Sequence, residues 1–251
     1  MNSHPQHPAC CTPLRDHWPL PLALSGVQLI STRFEPDLLD PEDFDRWGIP
    51  AMRAVSKRQT EFLAGRICAY EALRRVTGVP GIPTTAEDRS PCWPSGIVGS
   101  ITHGAGWAAV VVARSDQWRG LGLDVEKMLP VARADRLAAE ILTVRELEAY
   151  AGLDDAQRAM RVTLTFSIKE SLFKALYPLV KTRFYFQDAD LIHHDLDGNA
   201  RLRLLNDLSE EWRTGAELEG QFVQFDDYLL SLVSIPAASE REHRRKPSPP
   251  A

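Results

Sequence analysis

The segment Gly122-Leu123-Asp124-Val125-Glu126 sets two carboxylates two residues apart. On a strand, residues i and i+2 share a face, which puts Asp124 and Glu126 about 7 Å apart on one side. Two such acids repel unless a positive charge lies between them, and their oxygens suit a hard cation such as Mg²⁺. The same spacing also fits a polar edge strand with two solvated acids. A second group is Phe166-Ser167-Ile168-Lys169-Glu170-Ser171-Leu172-Phe173-Lys174. Phe166, Glu170 and Lys174 fall at i, i+4 and i+8, so an acid and a base share one helix face. A surface pair of that kind contributes only ~0.3–0.5 kcal/mol. Here, however, Leu164, Phe166, Ile168, Leu172, Phe173 and Leu176 make the helix apolar nearly all round, which points to burial. A buried glutamate needs a metal or a partner.

A third group, Val98-Gly99-Ser100-Ile101-Thr102-His103-Gly104, reads as a strand ending in hydroxyls and a histidine. With Gly104 and Gly106 following, backbone amides and the imidazole of His103 can come close to an anion; a purely structural histidine is the other reading. Arg58 and Arg66, eight residues apart on a helix, project from one side, and Arg89 sits in a Pro-rich loop. Each of the three also fits an ordinary solvated charge. His193-His194-Asp195 has metal-ligating types, but neighbours on a strand point to opposite faces, which favours a surface hairpin.

These residues need particular elements beneath them. Ser56 with Gln59 forms a capping-box signature, and Gly78 with Pro80 a stop, predicting a helix over 57–77. Strands are expected at Val27–Phe34, Ile97–Thr102, Trp107–Ala113 and Leu121–Glu126. Thr143 and Glu146 make a further capping box ahead of a helix ending near Gly152. A third long helix is expected over Ala156–Tyr177, closed by Pro178. Asp197-Gly198 and Asp226-Asp227 mark two hairpins near the end of the chain. The order predicts an α+β fold: two similar subdomains in a pseudo-twofold arrangement, each a small, mostly antiparallel sheet packed with a long helix. Expected bounds are a loose tail over 1–24, a first subdomain over 25–118, a second over 119–237 and a disordered tail over 238–251, with 115–121 as the crossover.

The 251 residues are 44% hydrophobic and 25% charged, enough for a sizeable core, and no apolar run approaches the ~20 residues that cross a bilayer. The net charge of −5 argues against broad nucleic-acid binding. It is an average: residues 51–120 carry nine Lys and Arg against five Asp and Glu, a net +4, in the stretch that holds the candidate anion contacts. Cys10, Cys11, Cys68 and Cys92 form neither a zinc pattern nor a disulfide framework. The N-terminus lacks signal-peptide character, so a cytoplasmic protein with reduced thiols is expected.

Taken together, Arg58–Arg66, Trp93-Pro94-Ser95-Gly96, Gly99–His103, Gly122–Glu126 and Phe166–Lys174, in that order, resemble the 4′-phosphopantetheinyl transferases. The similarity is to the larger two-subdomain type that serves siderophore and peptide or fatty-acid synthases. The resemblance implies transfer of the phosphopantetheine arm of coenzyme A to a serine of an acyl or peptidyl carrier protein. It makes Asp124, Glu126 and Glu170 the Mg²⁺ ligands. Thr102 and His103 become contacts to the 3′-phosphate, Arg58, Arg66 and Arg89 further phosphate contacts, and Lys174 the lysine on the pyrophosphate. Glu170 is the expected base, with Glu126 as the alternative. Thr102 stands where Ser is frequent and Phe166 where Trp is frequent, and neither change removes the hydroxyl or the aromatic bulk. A monomer is expected, with no nucleic-acid or membrane partner. A metal-dependent phosphoester hydrolase and a non-catalytic coenzyme A binding module use the same residues and need no carrier protein.

Overall fold

Apolar alternation between Gly and Asp turns supplies the strands, and longer helix-forming runs supply two long helices. In the computed structural model, which describes residues 6–237, the short strand β1 (Arg15–Asp16) pairs with β2 (Gln28–Arg33). A 3-10 turn at Pro36–Leu38 and the short helix α1 (Glu42–Arg46) lead to the long helix α2 (Ser56–Thr77). A small hairpin of β3 (Thr84–Thr85) and β4 (Pro91–Cys92) precedes β5 (Ile97–Gly104) and β6 (Trp107–Arg114). Then come β7 (Trp118–Lys127), α3 (Val131–Ile141), α4 (Val144–Tyr150) and α5 (Asp155–Val180). The strands β8 (Ala189–His194), β9 (Asn199–Leu204), β10 (Glu217–Phe225) and β11 (Tyr228–Pro236) complete the order.

The strands form two main sheets, ordered β1-β2-β6-β5 and β7-β11-β10-β9-β8, with every ladder antiparallel. Helix α2 buries Leu63, Ile67, Ala69 and Leu73 against the first sheet, and α5 buries Leu164, Ile168, Leu172 and Leu176 against the second. The opposite faces of the two sheets meet in a shared core that includes Leu29, Trp107, Val111, Leu123, Leu230 and Leu232. The layers therefore run α2, first sheet, second sheet, α5. The two halves share one plan, as expected for an α+β fold, but differ in strand number.

Edge strands β5 and β7 run side by side without a backbone ladder between them. Side chains take over: the Ser100 hydroxyl accepts the Leu123 N–H and the Thr102 hydroxyl accepts the Val125 N–H, each at 3.0 Å. This satisfies two buried amides that would otherwise be orphaned.

Several sequence expectations are corrected. Residues 6–24 are not a loose tail: Cys10, Cys11, Leu20 and Leu24 are buried, and Leu22 and the Gln221 side chain exchange two hydrogen bonds of 2.8 and 2.9 Å. A proline-rich segment without periodicity can still pack when its partners are distant in sequence. Ser56 does not cap α2; it is the first helical residue, after Val55, although Gly78 closes the far end in the left-handed conformation as expected. Pro178 does not stop α5 but lies in its last turn, and the left-handed Lys181 ends the helix with its N–H on the Tyr177 carbonyl. The connection between halves is the short turn 115–117, because β7 already begins at Trp118, one residue before the expected boundary. The capping box at Thr143 and Glu146 forms as read. The expected tail 238–251 lies outside the described residues.

Candidate active site

Along β7, Leu121, Leu123 and Val125 enter the shared core, which turns Gly120, Gly122, Asp124 and Glu126 toward α5. Two glycines on that face let α5 lie directly on the strand. A Cβ at Gly122 would sit 2.6 Å from Ala175 N and 2.8 Å from the Ser171 carbonyl carbon, and one at Gly120 would strike the Ala175 carbonyl. The close approach brings Glu170 and Lys174 of α5 over the two β7 acids.

Asp124 is only 4% exposed. Its Oδ1 accepts Lys174 Nζ at 2.6 Å, and the same ammonium donates to the Leu123 carbonyl at 3.1 Å. Oδ2 of Asp124 is buried with no hydrogen-bond partner among the described residues. Burial and the neighbouring Asp124 and Glu170 push the Glu126 carboxyl up to about 7, against the pull of Lys174. Glu170 is also raised, chiefly by burial and further by Asp124, with Lys174 opposing. An orphaned carboxylate oxygen beside two acids that resist ionisation is the chemistry a hard divalent cation relieves. The acids face one space without being gathered: among the described residues no three His, Cys, Asp or Glu side chains already form a metal cage.

Across the junction stands a second cluster. Nη1 of Arg58 lies 3.1 Å from His103 Nε2 and 3.2 Å from Glu61 Oε2, and His103 Nδ1 is 3.7 Å from the same Glu61 oxygen. Burial, then the charges of Arg58 and Lys174, lower the His103 pKa, while Glu61 raises it. Arg66 is 6% exposed and stacks its guanidinium 4.4 Å over the Phe62 ring, with Nη2 donating to Thr85 Oγ1 at 2.9 Å. Burial pulls its pKa down to about 10, and among the described residues no carboxylate pairs with it. Such a charge has room for an anion.

The structure brings Arg89, Glu170 and Lys174 onto the wall of one cleft of about 690 Å³ between the halves, together with Trp93 and Arg183. Gly99 lets Trp93 lie flat on β5, since a Cβ there would meet the indole at 2.8 Å. Arg58 and His103 form their own cluster, close enough to Lys174 to feel its charge. Thr102, expected on a phosphate, is buried in the seam between the sheets, where its hydroxyl oxygen accepts the Val125 N–H and its own O–H is left to donate. Cys92 lies at the cleft, whereas Cys10 and Cys11 are buried. His193 and Asp195 stand 3.7 Å apart on the surface.

Sequence reasoning missed Glu61, Lys169, Gly120 and Gly122. Glu61 sits three residues after Arg58, a helix-pair spacing that was available to be read. Lys169 is 3% exposed and donates to Glu146 Oε2 at 2.7 Å, the Phe186 carbonyl at 2.8 Å and the Ile141 carbonyl at 3.0 Å. Glu146 in turn accepts the N–H groups of Thr143 and Leu191. This buried node fixes α5 one residue before Glu170. Gly120 and Gly122 carried their signal only in the small-residue alternation along β7.

Comparison with known proteins gives concordant matches. The family model of the 4′-phosphopantetheinyl transferase N-terminal domain matches residues 50–113, and that of the 4′-phosphopantetheinyl transferase superfamily matches residues 120–233. The chain is 37% identical over 166 residues to enterobactin synthase component D of Salmonella typhi, covering 64% of this chain and 67% of that protein. It is 40% identical over 156 residues to the 4′-phosphopantetheinyl transferase Svp of Streptomyces mobaraensis, covering 61% of this chain and 62% of the other. Among solved structures, the holo-[acyl-carrier-protein] synthase of Thermotoga maritima aligns with a TM-score of 0.36 at 22% identity, over 47% of this chain and 63% of that one.

Proposed function

The chain belongs to the 4′-phosphopantetheinyl transferase superfamily, and from that premise we propose that it transfers the 4′-phosphopantetheine arm of coenzyme A to a serine hydroxyl of an apo acyl or peptidyl carrier protein. The products are holo carrier protein and adenosine 3′,5′-bisphosphate. The observation that carries this reading is the orphaned Asp124 oxygen held beside Lys174, with Glu126 and Glu170 facing the same space, next to a cleft walled by both halves.

Asp124, Glu126 and Glu170 would hold Mg²⁺, whose Lewis acidity polarises the pyrophosphate of coenzyme A. The rest belongs to the chain. Arg58, Arg66, Arg89 and His103 would bind phosphate groups, a role supported by the buried guanidinium of Arg66, without a carboxylate partner among the described residues, and by the place of Arg89 on the cleft wall. Glu170, made more basic than an ordinary glutamate chiefly by burial, takes the proton of the carrier serine. The serine oxygen then forms a bond to the phosphorus of the pantetheine arm. The bond from that phosphorus to the bridging pyrophosphate oxygen breaks, and its electron pair leaves on the 5′-phosphate of the adenosine bisphosphate. Lys174 donates to that phosphate and screens its new charge. The Thr102 hydroxyl, whose oxygen accepts the Val125 N–H, keeps its own O–H to donate to the 3′-phosphate beside His103. Both halves of this site are on one polypeptide, which supports action as a monomer. Among the described residues no helix is long and apolar enough to cross a membrane, and we place the reaction in the cytoplasm, without nucleic acid.

Incubation with coenzyme A, Mg²⁺ and several apo carrier proteins, read by intact mass, tests the reading. Wild type is expected to add the phosphopantetheine arm to carrier protein, and Asp124→Ala to abolish the addition. Free phosphopantetheine without modified carrier would mark a hydrolase, and coenzyme A binding with no product would mark a binding module. Either result overturns the transferase reading, and an active Asp124→Ala overturns the metal assignment.

A further inference from the structure

We propose that Glu61 is a positioning residue for the anion cluster: its carboxylate holds the ring of His103 so that an arriving phosphate is met by a histidine that takes up a proton and donates it through Nε2. The proposal rests on the reading of Arg58 and His103 as phosphate contacts.

Donor and acceptor chemistry fixes the tautomer of the ring. A guanidinium has only donors, so the 3.1 Å contact from Arg58 Nη1 to His103 Nε2 obliges Nε2 to accept. The ring proton then sits on Nδ1, the nitrogen 3.7 Å from Glu61 Oε2. Glu61 is 8% exposed, and Arg58 is its other partner, through the same Oε2 at 3.2 Å. One buried carboxylate oxygen thus fixes the Arg58 guanidinium and the neutral His103 ring, and selects the tautomer whose open nitrogen faces Arg58.

The charges around His103 set its protonation state. From α2 it meets Arg58 and Glu61, and from α5 the charge of Lys174. Strand β6 opposes it with Ala108, which is neutral. Two cations and burial outweigh one carboxylate, so the ring is neutral before ligand binds. A phosphate reverses that balance. Arg58 turns its Nη1 to the phosphate oxygens, which frees Nε2. The ring takes one proton from solvent at Nε2 and donates it to the anion. The resulting imidazolium lies between phosphate and Glu61, with opposite charges on both sides. The only bond formed is N–H, with the proton drawn from buffer. Without Glu61 the imidazolium would face Arg58 and Lys174 with the phosphate as its only counter-charge.

Calorimetric titration of adenosine 3′,5′-bisphosphate into the full-length chain, near pH 7.5 in buffers of different ionisation enthalpy, tests this. Wild type is expected to take up about one proton per ligand bound. Glu61→Gln, of the same size but uncharged, is expected to lose most of that uptake and to bind roughly tenfold more weakly. Glu61→Asp keeps the charge and is expected to retain the uptake, which a merely structural role would not predict. In a His103→Gln background, Glu61→Gln should add little further loss, since the two act as a unit. Uptake by Glu61→Gln equal to wild type, or a full additional loss in the His103→Gln background, overturns the proposal and leaves the anion site standing. Failure of wild type to bind the bisphosphate overturns the anion-site reading and this proposal with it.

Discussion

Replacing Gly122 by alanine asks whether the spacing between β7 and α5 places Lys174 on Asp124. The added Cβ would lie 2.6 Å from Ala175 N and 2.8 Å from the Ser171 carbonyl carbon, and nearer still to the Ser171 carbonyl oxygen. All of these are backbone atoms of α5, so no side-chain rotation relieves the clash, and the helix must move outward by about 1 Å. The hydrogen bond from Lys174 Nζ to Asp124 Oδ1 is 2.6 Å long, and a shift of about 1 Å carries it past hydrogen-bond range. Overpacking of this kind costs about 1–3 kcal/mol, which a domain with ~5–15 kcal/mol of stability survives. A displacement of about 1 Å at reacting groups lowers turnover roughly 100-fold. The expected outcome is a folded protein, by circular dichroism and urea midpoint, with kcat/KM for carrier-protein modification reduced by about two orders of magnitude. Gly152→Ala is the control, because nothing lies within 4 Å of its added Cβ, and its activity should match wild type. A folded Gly122→Ala variant with wild-type kcat/KM would refute the claim that this glycine sets the lysine.

Two other predictions address the buried charges. Lys169→Met leaves the Glu146 carboxylate buried without its cation, and is expected to cost about 3–5 kcal/mol, read as a lower urea midpoint at unchanged m-value; an unmoved midpoint would show that the node does not stabilise the fold. Burial, Asp124 and Glu170 hold the Glu126 carboxyl up to about 7, so below that pH an incoming Mg²⁺ must displace a proton. The Mg²⁺ concentration giving half-maximal transfer should therefore rise about tenfold from pH 8 to pH 6. Glu126→Gln should flatten that dependence, and a flat wild-type profile would refute the reading.

The hairpins were legible because their signals are local: Asp197-Gly198 and Asp226-Asp227 mark the turns that join β8 to β9 and β10 to β11. Asp124, Glu126, Glu170 and Lys174 were legible for a similar reason, since i, i+2 and i, i+4 spacings set which residues share a face, and two packed elements then bring the faces together. What escaped depends on contacts distant in sequence. The segment 6–24 is ordered by Gln221 and by a strand pairing invisible in its own composition. No local pattern announces that the oxygen of Thr102 also accepts an amide of β7. Pro178 misled because a proline in the last turn of a helix leaves most of the preceding hydrogen bonds intact.

The hydroxyl seam between β5 and β7 has a consequence for how the molecule can be divided. Each of these strands is the open margin of its own sheet, and each shields the other from foreign strands. Cutting the chain in the turn at 115–117 would bare both margins at once, one with the free amides of Leu123 and Val125 and the other with Ser100 and Thr102. Fragments made there should either find each other and rebuild the seam or recruit strands from other copies and precipitate. Co-expression of the two pieces, rather than expression of either alone, is the way to a soluble split form of the protein.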